Sequence, residues 1–236
     1  MRGEGVFEVD ILTTQVMSKT SKEIAKIGKR MMEDEKWGRF CDIDYRPQKG
    51  IVARCLYYEE KGRKGAGVII VGLNPSKAKP LESSYFKDKS HRNYAGAVRF
   101  WEKEREDCKS YYGPLRDLAD KIGLTGPILW TELVKCQAIK NGKISVDTIR
   151  YSISNYLCRE VALFPKGTPI IAVGKRAFEL LAYVYPDRKI IGVPHPSRGN
   201  PRSNHVYRKG KFVSKGLEER IKKQLASCDF DAVRHQ

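Results

Sequence analysis

Short apolar runs alternate with helical patterns along the chain after Gly65. "GVIIVGL", "PILWTELV", "PIIAVG" and "KIIGV" are apolar on successive residues and bounded by Gly, Pro or polar positions. That is the pattern of strands buried on both faces. Between them, "RNYAGAVRFWEKER", "GPLRDLADKIG", "SVDTIRYSISNYLCREVALF" and "KRAFELLAYVY" carry apolar residues at helical spacing. In the third of these, Val146, Ile149, Ile153, either Tyr156 or Leu157, and Val161 predict a single inward face. Ser214 predicts the start of a final helix with Leu217, Ile221 and Leu225 inward. Strands and helices in alternation predict an α/β fold, a three-layer α/β/α sandwich around a central four-stranded, mainly parallel sheet.

The first 66 residues follow another pattern. From Ser18 or Thr20 to about Glu33, Ile24, Ile27 and Met31 recur at helical spacing behind a capping hydroxyl. Between Phe40 and Glu59, "FCDIDY" and "IVARCLYY" predict strands flanking "RPQKG", and "EEKGRKGAG" then forms a basic loop. No internal repeat or low-complexity linker interrupts the sequence, so residues 1–236 read as a single domain with a helix-and-strand extension at 1–66.

Composition changes this picture in three respects. With 236 residues, 41% of them hydrophobic, the chain can bury a substantial core. It has no apolar run of membrane-spanning length, and "MRGEGVFEVD" lacks the layout of a signal peptide, so the cytoplasm is expected, with nucleoid association in a prokaryotic cell. The six cysteines come no closer in sequence than the 14 residues between Cys41 and Cys55, which excludes paired CxxC clips; neither a metal nor a cofactor is expected. Lys and Arg number 45 against 28 Asp and Glu, a net charge of +17. The excess makes nucleic acid the natural partner, since a thermophile surface would balance its lysines with glutamates.

Ligands of open parallel sheets bind beyond the carboxyl ends of the strands. The first strand runs into "GLNPS" at 72–76, the second into "TELVKC" at 131–136 and the fourth into "HPS" at 195–197. Singly, Asn74-Pro75 reads as a turn, His195-Pro196 as a loop and Glu132 as a solvated strand residue. Jointly, three polar signals at the carboxyl ends of one sheet predict a shared crevice. "GLNPS" does not match GxGxxG, which removes the main reason to expect a dinucleotide.

At these residues the chain resembles the uracil-DNA glycosylase superfamily, whose members carry Gly-x-(Asn, Asp or Ala)-Pro after the first strand and His-Pro-Ser after the last. "GLNPS" with "HPSRGNP" looks most like the single-strand-selective and mismatch-type members, and the resemblance spans 67–204. It implies a monomeric, monofunctional DNA glycosylase of base excision repair that hydrolyses the N-glycosidic bond of a deaminated or damaged base in single- or double-stranded DNA. By the same resemblance, His195, held between Pro194 and Pro196, donates to the departing base, and Asn74 holds the attacking water. Gly72 and Leu73 would line the base pocket. The aromatic floor for a flipped base falls on Phe86, next to Tyr85, unless that ring is a core residue. Ser197, Arg198, Arg202 and Lys77 would contact DNA, the arginines filling the gap left by the base or pairing with phosphate.

One position departs from the pattern. Where many members carry Asn after the second strand, alignment on "LVKC" puts Glu132. A carboxylate accepts but donates only when protonated, so it suits an amino-bearing edge better than uracil's O4. The four cysteines of the iron-sulfur branch are also missing. Two other readings stay open: a non-catalytic nucleic-acid-binding protein on the same fold, favoured by Glu132 as Asn74 with His195 favour the enzyme, and a hydrolase of free nucleosides, which would gain little from so basic a surface.

Overall fold

A computed structural model describes residues 18–107, 111–139, 143–196, 203–209, 211–227 and 233–234. Its centre is a six-stranded sheet: β1 (Tyr57–Glu59), β2 (Val68–Gly72), β3 (Ile128–Glu132), β4 (Ile170–Val173), β5 (Ile190–Val193) and β6 (Val233–Arg234). Across the sheet the order is β6-β5-β4-β2-β3-β1. The four strands expected from the apolar runs form its parallel centre; β6 extends it in parallel, and β1 closes the other edge antiparallel to β3.

Each central strand is buried along most or all of its length because both faces are covered. Ile69 and Val71 point into one core, with Ile24 and Met31 of α1 (Lys19–Glu33), Ile149 of α5 (Val146–Ser152) and Leu181 of α7 (Lys175–Val184). Val68 and Ile70 point into the other, with Leu115 and Leu118 of α4 (Tyr112–Lys121) and Leu217 and Ile221 of α8 (Lys215–Ala226). The result is the α/β/α layering that the alternation predicted. α2 (Pro80–Lys87) and α3 (Tyr94–Asp107) follow β2, and α6 (Cys158–Ala162) continues α5.

Three local expectations are corrected. The helix over 146–162 contains a wide π turn at Ile153–Leu157, which turns both Tyr156 and Leu157 inward, while Val146 stands 68% exposed at the first turn. "FCDIDY" forms only the two-residue strand Ile43–Asp44, paired with Gln137–Ala138. "IVARCLYY" pairs with the main sheet only at Tyr57 and Tyr58, because Cys55 adopts φ 68°, a left-handed conformation that breaks the extended run.

Sheet order reverses around β2: the chain passes from β2 to β3 on one side, then crosses to β4 on the other. The switch point lies at the carboxyl ends of β2 and β4, where such sheets open a crevice.

Candidate active site

Past the carboxyl ends, loop pairing holds two motifs together. Leu133 and Val134 donate backbone N–H groups to Gly72 O and Leu73 O, both at 2.9 Å. A cleft of about 440 Å³ opens there, and Asn74, Glu132 and His195 all line it, with Gly72 and Leu73. The structure therefore brings together the three polar positions that the strand ends suggested.

Asn74 is partly buried, and its Nδ2 donates to Pro75 O at 2.9 Å. That bond fixes the amide plane and leaves Oδ1 as the acceptor, the end suited to hold a water. His195 follows β5 by two residues. Tyr207 Oη donates to Pro194 O at 3.1 Å, bracing the backbone just before the imidazole, and the Tyr111 ring lies 5.3 Å from the histidine ring. His195 reaches solvent, yet the surrounding protein desolvates the ring enough to lower its pKa, so at neutral pH it is an uncharged donor.

Glu132 ends β3 with its carboxyl pressed against Gly72, where a Cβ would collide with it. This close approach accounts for glycine at position 72, which no positive φ requires. Oε2 of Glu132 is enclosed and has no hydrogen-bond partner. Desolvation pushes the Glu132 carboxyl up to about 8, against the opposing pull of the Lys135 and Arg54 charges. Lys135 is itself wholly buried. Its Nζ donates to Thr131 Oγ1 at 2.5 Å, Glu132 O at 2.8 Å and Glu160 Oε2 at 2.8 Å, so an ion pair inside the core fixes the backbone that carries Glu132.

Phe86 is not the floor of the cleft. It is 1% exposed in the core, in edge contact with Tyr85 at 5.1 Å and 5.6 Å from Phe100. The rings that line the cleft are Phe100, Trp101, Tyr111 and Tyr112, and Phe86 backs the first of them. The motif spacing put an aromatic on α2, but α2 turns Phe86 into the core and Glu82 toward the cleft. Lys77 is exposed and outside the cleft lining, whereas Lys79 is part of it. Ser197, Arg198 and Arg202 lie outside the described residues.

Sequence reasoning missed Arg54 and Cys55, which line the cleft from the segment before β1, and the tyrosine pair at 111–112. "SYYGPL" carried a signal in its adjacent rings; the arginine inside "IVARCLYY" is the other, since a charge amid an apolar run needs a partner.

A family model described as "Uracil DNA glycosylase superfamily" matches residues 60–219. The chain belongs to the uracil DNA glycosylase superfamily. Membership brings DNA base glycosylase activity in general, with DNA as the partner and DNA repair as the setting. Comparison with curated proteins finds no match. As in the superfamily's pattern, the glycine-asparagine-proline loop and the histidine-proline turn sit on separate strands, here converging on one cleft. The matched segment begins at residue 60, so Arg54 and Cys55 belong to the cleft but not to the match.

Proposed function

We propose that this superfamily member is a monofunctional DNA glycosylase that removes a deaminated or damaged base, in the manner of the single-strand-selective and mismatch-type members its motifs resemble. The observation that carries the reading is the convergence of Asn74, Glu132 and His195 on one cleft beyond the carboxyl ends of three strands. Water held by Asn74 Oδ1 adds its oxygen to the sugar C1′. The N-glycosidic bond breaks with its electron pair on the base, and the proton released by the water passes to solvent. Negative charge spreads over the departing base to its carbonyl oxygen, where an N–H of neutral His195 stabilises it. An amide takes no proton, so Asn74 positions the water rather than activating it. An extrahelical base has rings to stack on in Phe100, Trp101, Tyr111 and Tyr112.

The test is a set of oligonucleotides, each carrying one altered base, incubated with the protein and then treated with alkali to cleave abasic sites. Alkali-dependent cleavage at uracil, hypoxanthine or xanthine supports the reading. Binding without release from any of them overturns it in favour of a fold that has lost the chemistry. Cleavage before alkali overturns the monofunctional part and turns attention to Lys79, an amine in the cleft wall.

A further inference from the structure

Asn74 stands in a stretch with little backbone support. Val134 N holds Leu73 O, but residues 74–78 make no backbone-to-backbone hydrogen bond among the described residues, and regular structure resumes only with α2 at Pro80. Such a segment is free to shift unless side chains fix it. Here two side chains do. Arg54, 4% exposed, donates from Nη2 to Ser76 O at 2.5 Å, two residues past Asn74, and its Nε pairs at 2.5 Å with Oε1 of Glu82 in the first turn of α2. Gln137 Oε1 accepts the backbone N–H of Ala78 at 2.6 Å and Arg54 Nη2 at 3.2 Å. Both residues are anchored from behind: the Arg54 backbone N–H donates to Lys135 O at 2.9 Å, and Gln137 Nε2 donates to Asp44 Oδ2 at 3.0 Å. Lys135 follows Glu132 by three residues, so the same bonds tie the Asn74 loop to the strand end that carries Glu132.

We infer that Arg54 and Gln137 are positioning residues that clamp the loop after β2 at its far end and thereby fix where Asn74 holds its water. The inference rests on the glycosylase reading and adds to it a residue, Arg54, that precedes the matched segment. Position passes along a short chain of contacts: Arg54 holds Ser76 O, Pro75 restricts the backbone between, and the Asn74 amide is bound to Pro75 O. Val134 fixes the near end of the loop and the clamp its far end, with Asn74 between them. A charged donor makes the bond to Ser76 O stronger than a neutral one would, and Glu82 offsets the burial of that charge. Gln137 does not line the cleft, so it reaches the reaction only through the loop.

The experiment asks whether the clamp acts through Asn74. Single-turnover release is measured with oligonucleotides carrying uracil, 5-fluorouracil, hypoxanthine or xanthine, taking whichever the wild type releases fastest, for wild type, Arg54→Lys and Gln137→Met, and again for each change combined with Asn74→Ala. Affinity for the same oligonucleotide is read by fluorescence anisotropy. A displacement of Asn74 of about 1 Å predicts release about tenfold to a hundredfold slower in the single variants, with affinity within about twofold of wild type. Once Asn74→Ala has removed the group being positioned, the same changes should slow release by less than about threefold. The split between rate and affinity decides alone if release by Asn74→Ala is too slow to follow. Should Arg54→Lys fail to fold, Gln137→Met carries the comparison. Unchanged rates in the folded variants, losses of affinity that match the losses of rate, or equal losses in both backgrounds overturn the clamp and leave the glycosylase reading intact. Absence of release by wild type from all four bases overturns both.

Discussion

Replacing Glu132 with Gln removes one titration and almost nothing else, which makes its environment measurable without any assay of activity. An ordinary glutamate titrates near 4.5, and burial beside Gly72 moves Glu132 to about 8. The folded state therefore holds a proton that the unfolded chain has already lost. Because the folded pKa is the raised one, its stabilising effect is complete below about 4.5, drains away as pH rises and is gone above about 8. Between pH 5 and pH 8.5 the loss is about 4 kcal/mol, at about 1.4 kcal/mol per pH unit. For a chain of this size that corresponds to a midpoint change of roughly 10 °C. Wild type and Glu132→Gln share every other titrating group, so their difference isolates this one. Urea unfolding at the two pH values should show Glu132→Gln gaining about 4 kcal/mol on wild type between pH 5 and pH 8.5. Parallel pH dependence in the two proteins would show that Glu132 ionises normally, and the account of its pocket would fail.

Three further outcomes follow from the same geometry. His195→Ala should lower base release by at least about a hundredfold in single turnover while DNA affinity, read by fluorescence anisotropy, stays within severalfold, because its contact is to charge that develops only as the bond breaks; full activity would remove His195 from the mechanism. With a net charge of +17, affinity for DNA should fall steeply and log-linearly with salt, and salt-independent binding would refute phosphate contact. Lys135→Met should destabilise the fold by about 3–5 kcal/mol in thermal or urea melts by stranding the wholly buried Glu160, and adding Glu160→Leu should recover most of that loss; equal melts for the two variants would deny the coupling.

The sheet was legible because burial on both faces writes itself as a continuous apolar run, as in "GVIIVGL". The helix over 146–162 was legible in extent but not in phase: heptad-like spacing leaves Tyr156 and Leu157 as alternatives, and only a π turn turns both inward. Asn74, Glu132 and His195 could be placed because the carboxyl end of a strand is a position that sequence reveals. Phe86 could not, since distance along the chain does not fix which way a helix faces, and α2 turns this ring into the core. Arg54 was hidden for a different reason. A charge inside "IVARCLYY" signals that a partner is needed, but the partners that bury it, Glu82, Ser76 and Gln137, stand between 22 and 83 residues away, where no local pattern reaches.

The two sides of the cleft are built in opposite ways. Around His195 the backbone is braced: prolines on either side restrict it, Tyr207 holds the Pro194 carbonyl, and Tyr111 packs near the ring. A donor that must meet charge as it forms gains from standing still, because no reorganisation is then needed during bond breaking. Around Glu132 and Arg54 the contacts are incomplete: each keeps an enclosed polar atom without a partner, and Glu132 is held there by the fixed Lys135–Glu160 pair and by the space that Gly72 vacates. An alanine at position 72 would fill that space and push the carboxyl aside. Folding alone leaves these two atoms unsatisfied, a cost that the packing around them has to offset.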